Sequence, residues 1–434
     1  MRLAELAPVR RDERAAVGWA FVYFFCLLAA YYVLRPVRDA MGLAGKVGDL
    51  PKLFLVTLVV TLLVTPLFTA LVSRFSRRRF VPITNHFFAL QLLGFAWLLR
   101  SPHVGPDAAR VFFVWTSVFN LFSVSIFWAL MADLFRREQG LRLFGLIGAG
   151  GTLGAMAGSA ATALLASRVG SAALLVVAAV LLEVTVLCVA RLSRIFADRQ
   201  NDAGGQKDAG GDADAARDPE LGRGGIFRWL RAASRSPYLV AIVLYMLFFS
   251  FTSTFVYFEQ AHIVKAAVPT TALRTELFAK MDLAVNVGSL VLQGLVIGPL
   301  LRALGVGKVL VILPALTLLG CAILGVRPTL SAMVAFQVAR RACDYGVAKP
   351  AREVLFTVVS REDKYKAKTF IDTFVYRTGD ALGAGVFGGA ASAGPGILAV
   401  AAAACAVWVG ISVVLGKLQP DVVNARVDDR AARV

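Results

Sequence analysis

Charge is scarce in this chain: Asp, Glu, Lys and Arg make up 17% of its 434 residues while hydrophobic types make up 58%, a balance that excludes an ordinary soluble domain. Acids are the scarcer sign, 28 against 46 bases, which leaves a net charge of +18. The five cysteines, Cys26, Cys188, Cys321, Cys343 and Cys405, are far apart and form no CxxC. Neither a disulfide framework nor a zinc site follows, and they are expected to be small apolar packing residues. His86, His103 and His262 are the only histidines, too few for a metal cluster. No GxxxxGK followed by Ser or Thr occurs; GVGK at 305–308 lacks both the upstream glycine and the hydroxyl, so P-loop ATP hydrolysis is unsupported. No Ser/His/Asp or Cys/His nucleophile set is visible either. An enzyme is not expected, no cofactor is implied, and any transport would run on a gradient or on exchange.

What is present is a succession of long apolar runs. Six of them, near 15–40, 50–72, 80–99, 110–135, 143–166 and 171–192, are long enough to cross a hydrocarbon core of ~30 Å. The first is expected to be a span and not a signal peptide, because no small-residue cleavage site follows it. A Gly-, Ala- and Asp-rich stretch with almost no large apolar residues follows, expected to be a disordered cytoplasmic linker. Six more runs lie near 238–258, 279–301, 308–326, 330–358, 366–390 and 393–416, the fourth of them interrupted by charges. With the N-terminus inside, the cytoplasmic segments hold about three quarters of the 46 Lys and Arg, so the basic excess reads as the positive-inside bias and not as nucleic-acid binding. Both termini are then cytoplasmic, in an inner (plasma) membrane.

The expected fold is therefore all-α, with twelve transmembrane helices in two six-helix bundles: residues 1–192 and 237–418, joined by a linker at 193–236 and followed by a tail at 419–434. Two groups of six spans about a long cytoplasmic linker is the layout of major facilitator transporters. Short internal echoes agree with it: RREQGLRLF after span four is answered by SREDKYKAKTF after span ten. The glycine run GLIGAGGTLGAMAG at 145–158 has the look of a phosphate cradle, but its glycines recur every three or four residues inside a span, which serves close helix packing.

Ionisable residues at membrane depth are costly and mark the functional candidates. Span one ends in YYVLRPVRDAMG, with Arg35, Arg38 and Asp39 around Pro36; Arg35 and Arg38, three apart, share a helical face, either lining a cavity or anchored at the interface. Asp133 closes span four, either as a site residue or paired with Arg136 or Arg137. Glu183 lies deep in span six, either hydrogen-bonded between helices or carrying a coupling proton. Spans seven and eight supply TSTFVYFEQAHIV, with Glu259, and a polar stripe of Asp282, Asn286 and Gln293. The densest charge lies at 339–388. There Arg341, Asp344, Ala348 and Arg352 recur at helical intervals, as do Lys364, Lys368 and Asp372, with Arg377 and Asp380 beyond. Lys364 and Lys366 read as a solvated turn, while Arg341, Arg352, Lys368, Arg377 and Asp380 read as cavity residues. A mixed set with bases leading suits an anion of several charges.

Four stretches resemble the nucleotide transporter family, the ATP/ADP translocases of plastids and intracellular bacteria with their bacterial relatives: LRPVRDAMG, FWALMADLFRREQGLRLFGLIGAGG, FVYFEQAHIV and above all KPAREVLFTVVSREDKYKAKTFID. Arg38 and Asp39 take the place of the family's basic–acidic pair, and Asp133 that of an acidic or amide residue. Pro350, Arg352, Glu353, Lys366, Lys368, Ile371 and Asp372 take those of its last cluster. The resemblance implies a twelve-span major facilitator that carries ATP, ADP or related nucleotides, by exchange or in some members by proton-coupled uptake. On that footing Arg35, Arg38, Arg341, Arg352, Lys368 and Arg377 are expected to bind substrate, and Asp39, Asp133, Glu259, Asp282, Asp372 and Asp380 to gate or relay protons. The partners expected are a small anionic substrate, a nucleotide, and the lipid bilayer, with no nucleic acid and a monomeric chain. The alternatives are a proton-coupled carrier of another amphipathic anion or lipid, and a membrane adaptor or sensor without transport.

Overall fold

The structure, a computed structural model, describes residues 9–45, 47–74, 77–100, 106–202, 234, 236–357, 359, 366–368, 370–390 and 396–431. Its longer helices are α1 (Arg14–Gly42), α2 (Leu50–Arg74), α3 (Arg77–Leu98), α4 (Pro106–Leu134), α5 (Arg137–Asp202), α6 (Pro237–Ala267), α7 (Thr271–Val291), α8 (Ile297–Val326), α9 (Leu330–Cys343), α10 (Lys349–Leu355), α11 (Tyr376–Ala390) and α12 (Gly396–Ala431). No strand occurs among the described residues. Three π-turns, Leu292–Val296, Asp344–Ala348 and Ile371–Val375, connect α7 to α8, connect α9 to α10 and lead into α11.

Among the described residues, eight helical stretches are long and apolar enough to cross a membrane, and two of these, Arg142–Ala197 and Thr271–Val326, run for 56 residues. At 1.5 Å per residue each of the two is about 84 Å long, so it holds two crossings of a ~30 Å core. The reversals come where glycine alone is at ease: Gly170 in α5 has φ 74° and Gly305 in α8 has φ 73°. The stretch 330–355 falls outside the eight, in keeping with the charges that interrupt it; 371–390, expected as part of a span, falls outside them as well. Span seven is longer than its apolar run near 238–258, reaching Ala267, and Glu259 lies within its helix. The helices also run on past two expected ends, α5 to Asp202 and α12 to Ala431. Residues 203–233, most of the expected linker, lie outside the described residues.

The chain forms two compact units. The first takes in Met1–Gly45, Val56–Ala213 and Val268–Leu283; the second takes in Lys46–Leu55, Asp214–Ala267 and Ala284–Val434. They follow the two halves of the sequence except for the short segments 46–55 and 268–283.

In the first unit, α1 lies against the first half of α5 along the glycine run. Gly150, Gly154 and Gly158 step down α5 four residues at a time and face the carbonyls of Phe21, Phe25 and Ala29, which step down α1 in the same way. Around this contact Phe24 stacks on Phe127 at 4.2 Å between ring centroids, with Tyr23 edge-on at 5.0 Å. Such ring pairs hold helices together through dispersion, which remains available in lipid. The entrance to α1 is tied down by Glu13, 1% exposed. Its carboxylate accepts from Arg142 Nη2 at 2.7 Å, Gln139 Nε2 at 3.0 Å and the N–H of Arg10 at 3.1 Å.

Burial pushes the Glu13 carboxyl up, but these hydrogen bonds and the Arg142 charge outweigh it and hold the group below its ordinary 4.5. A depressed folded-state pKa stabilises the fold fully above the unfolded value and loses that contribution as pH falls through the folded one. Glu13→Gln is therefore expected to lower the midpoint of thermal unfolding near neutral pH and to flatten its decline below about pH 4.5. Melting curves across pH 3–7 check this.

In the second unit, Trp408 of α12 is the largest fully buried side chain among the described residues, edge-on to Tyr245 at 5.4 Å and to Phe249 at 5.9 Å, both on α6. Tyr245 and Tyr238 of α6 spend their hydroxyls on carbonyls, Leu310 O at 3.3 Å and Leu355 O at 3.0 Å, so these rings are buried without an orphaned donor. The second part of α8 meets α12 where Gly307 faces Gly416.

Candidate functional site

Helix α9 opens on Thr329, whose hydroxyl accepts the N–H of Ala332, and runs to Cys343 before widening into the π-turn Asp344–Ala348. The extra residue in that turn has a consequence for side-chain direction. In a straight α-helix, steps of four overshoot a turn of 3.6 and drift round the axis; a wider turn cancels part of the drift. Arg340, Asp344, Ala348 and Arg352 accordingly all come to be buried. Arg341, the residue that α-helical spacing had placed on this line, is only half-buried, and Arg340 takes the line instead.

Within this stretch Arg352 Nη2 lies 3.0 Å from Asp344 Oδ1, and its guanidinium sits 4.4 Å from the centroid of the Phe249 ring. Arg340 Nη2 donates to Ser253 Oγ of α6 at 2.6 Å, and one turn earlier Gln337 donates to Gln260 Oε1 at 2.6 Å. Three guanidinium groups and one carboxylate thus share residues 340–352, a positive balance inside an apolar bundle. The hydroxyls of α6 hold a carboxylate as well. Ser250 and Thr254 donate to Asp380 Oδ1 at 2.6 and 2.8 Å, with Arg377 Nη1 3.8 Å from the other oxygen. Lys368 pairs with Glu353 and lies 5.3 Å from the centroid of Phe356. Glu259 is half-buried on α6. The side chain of Asp372 and the residues 360–365, with Lys364, lie outside the described ones.

In the first unit, Arg35 Nη1 is 3.7 Å from Asp282 Oδ1, and Asp282 is 2% exposed. Arg38 turns to its neighbour Asp39 at 2.6 Å and lies 5.2 Å from the centroid of Phe113. The two arginines of span one share a stretch of helix but serve different carboxylates. Asp133 is exposed at the end of α4. Glu183 is joined across helices to His86, with Nδ1 2.9 Å from Oε1. The stripe expected along span eight divides: Asp282 and Asn286 are buried, but Gln293 falls in the π-turn Leu292–Val296, turns outward, and donates to Tyr345 O at 2.9 Å.

Spacing missed Arg340, Arg274 and the hydroxyls of α6. Arg274 is buried against carbonyls, Val268 O at 2.8 Å and Leu43 O at 3.4 Å. The run SFTST in an otherwise apolar span was the signal available for Ser250, Ser253 and Thr254.

Residues 20–339 match the model of the Major Facilitator Superfamily. The chain belongs to the Major Facilitator Superfamily. As a major facilitator it is a multi-pass membrane transporter of some substrate. The crystal structure of the nucleoside transporter NupG is similar in fold, with a TM-score of 0.62 at 14% identity over 95% of this chain and 99% of that one. A bacterial metal transporter is similar with a TM-score of 0.62 at 11% identity, over 94% and 99% of the two chains. A bacterial homologue of the iron transporter ferroportin in an inward-facing state gives 0.60 at 10% identity, over 94% and 98%. No curated protein matches the chain. These major facilitators agree in fold and differ in the cargo they are named for, and the match is to the superfamily, not to the ATP/ADP translocases within it.

Proposed function

We propose that this major facilitator moves nucleotides, ATP, ADP or related phosphorylated anions, across an inner membrane by alternating access, in exchange. The observation that carries the reading is the positive balance of residues 340–352, where Arg340, Arg341 and Arg352 accompany Asp344 alone among buried helices. An excess of basic over acidic groups at membrane depth suits an anion, and guanidinium groups grip phosphate oxygens two at a time. In this reading Arg35, Arg38, Arg341, Arg352, Lys368 and Arg377 serve the anion. Asp39, Asp133, Glu259, Asp282, Asp372 and Asp380 release or reclaim those bases, or relay protons, as the transporter turns over. The halves 1–192 and 237–418 are its two bundles, with both termini and the linker cytoplasmic.

Uptake of labelled ATP and ADP into proteoliposomes, with and without internal nucleotide, tests this. Uptake that needs internal nucleotide supports exchange; uptake driven by a pH gradient alone favours a proton-coupled carrier. No uptake and no nucleotide-dependent rise in melting temperature would end the nucleotide reading.

Lys368 supplies a sharper test. Its pair with Glu353 is partly exposed, with side-chain exposures of 32% and 58%. Such a pair is worth about 0–1 kcal/mol, so Lys368→Ala should scarcely change thermal stability. A drop in nucleotide uptake of about tenfold is expected from loss of one charge-assisted phosphate contact. Unchanged uptake would leave Lys368 as a partner of Glu353 only.

A further inference from the structure

His86 on α3 and Glu183 on the second half of α5 form a cross-helix pair that the transport chemistry above does not use. Their side chains are 56% and 47% exposed. In a span, exposure on a face of apolar side chains points to lipid. The neighbours on both helices confirm the setting: Ile83, Phe87 and Leu90 surround His86, and Val180 and Leu187 flank Glu183, each 55% to 68% exposed.

The pair also lies at depth. His86 is six residues inside the span Phe80–Leu98, about 9 Å along the axis, and Glu183 is thirteen residues past the reversal at Gly170, about 20 Å. Those distances, measured from opposite ends of a ~30 Å core, place both groups at one level well inside hydrocarbon.

Holding α3 to α5 does not account for them. One residue from His86 and two from Glu183, on the buried side of the same seam, Asn85 Nδ2 donates to Thr185 Oγ1 at 2.8 Å and does that work out of contact with lipid. The pair is also incomplete as a hydrogen-bonding unit. Both carboxylate oxygens of Glu183 face the same ring nitrogen, Nδ1, at 2.9 and 2.8 Å, which leaves Nε2 without a contact among the described residues. An imidazole nitrogen and a carboxylate facing lipid are expensive unless something covers them.

We propose that this face is covered by a second copy of the chain, packed through α3 and the second half of α5 about a two-fold axis. The surface carries a base and an acid side by side, so it is complementary to itself, as an isologous contact demands. His86 Nε2 of each chain then meets the Glu183 carboxylate of the other, closing a ring of four side chains, and the apolar residues around it pack instead of facing lipid. Gly94 is exposed along the same face of α3 and allows close approach there. Each chain remains a complete transporter, and the contact joins two of them.

The full-length protein, labelled with one fluorophore per chain and reconstituted in phosphatidylethanolamine–phosphatidylglycerol vesicles over a range of dilutions, gives the test by counting photobleaching steps. Two-step particles are expected, and their share should rise with protein density. His86→Leu and Glu183→Leu should each weaken dimerisation about tenfold or more, while the exchange of His86→Glu with Glu183→His in one chain keeps both groups on the face and retains it. Leu90→Cys, beside the pair, should cross-link between chains in the native background and not in the leucine variants. Thermal melting and transport by the variants show that the fold survives. The exchange variant keeps the test decisive should a leucine variant misfold. Single-step particles at every density, or dimers that persist unchanged in both leucine variants, would overturn the proposal. So would a different membrane protein recovered on this face while the pure chain is monomeric.

Discussion

Replacing Arg352 with Gln is expected to destabilise the protein by about 3–5 kcal/mol and to abolish transport. The guanidinium is buried, and its removal strands Asp344, 9% exposed, without the counter-charge 3.0 Å away. It also strips the face of Phe249 of its cation. Loss of stability and loss of function would be confounded in that variant alone. The double change Arg352→Met with Asp344→Met separates them, because an apolar pair of similar volume removes the stranded charge and is commonly neutral or stabilising. Its melting temperature should return to the native value while nucleotide uptake stays at background. Recovery of transport with stability would show that Arg352 exists for Asp344 and not for the substrate.

An effect of similar size is expected in the first unit from Gly154→Val. A Cβ at this position would stand 2.1 Å from the carbonyl oxygen of Phe25 and 2.8 Å from its carbon, so α1 and α5 would have to part along their length. Overpacking where side chains can give way costs about 1–3 kcal/mol; backbone cannot give way, and a larger loss is expected here. The measurable outcome is absence of a monodisperse peak in size-exclusion chromatography of the detergent-extracted protein. Gly148→Ala is the matched control, on the same helix with nothing within 4 Å of the new Cβ, and should behave as the native protein. If the two variants are indistinguishable, the close contact between α1 and α5 is wrong.

The spans and the packing role of the glycine run were legible because each follows from local pattern. Twenty apolar residues must cross, and glycines every fourth residue must face a neighbour. What spacing could not supply was partnership across distance. Nothing around Arg35 points to Asp282, and nothing around Glu183 points to His86, because both pairings depend on how helices far apart in sequence come together. The substitution of Arg340 for Arg341 on the buried line has a different cause. Counting by 3.6 is sound until the helix changes pitch, and the π-turn at Asp344–Ala348 leaves no mark in hydrophobicity. Gln293 was misplaced by the same effect at Leu292–Val296.

Those turns also bear on how such a chain can change over generations. Each holds one residue more than an α-helix needs, so deleting a single codon within Asp344–Ala348 would not break the helix but restore its regular ladder. Side chains downstream would keep their facing: with one residue fewer, Arg352 would stand eleven residues after Arg340, about 20° past three full turns, and the buried line would survive with the span intact. Three such places among the described residues, Leu292–Val296, Asp344–Ala348 and Ile371–Val375, thus give descendants of this sequence positions where a residue can be lost without re-aiming the side chains beyond it.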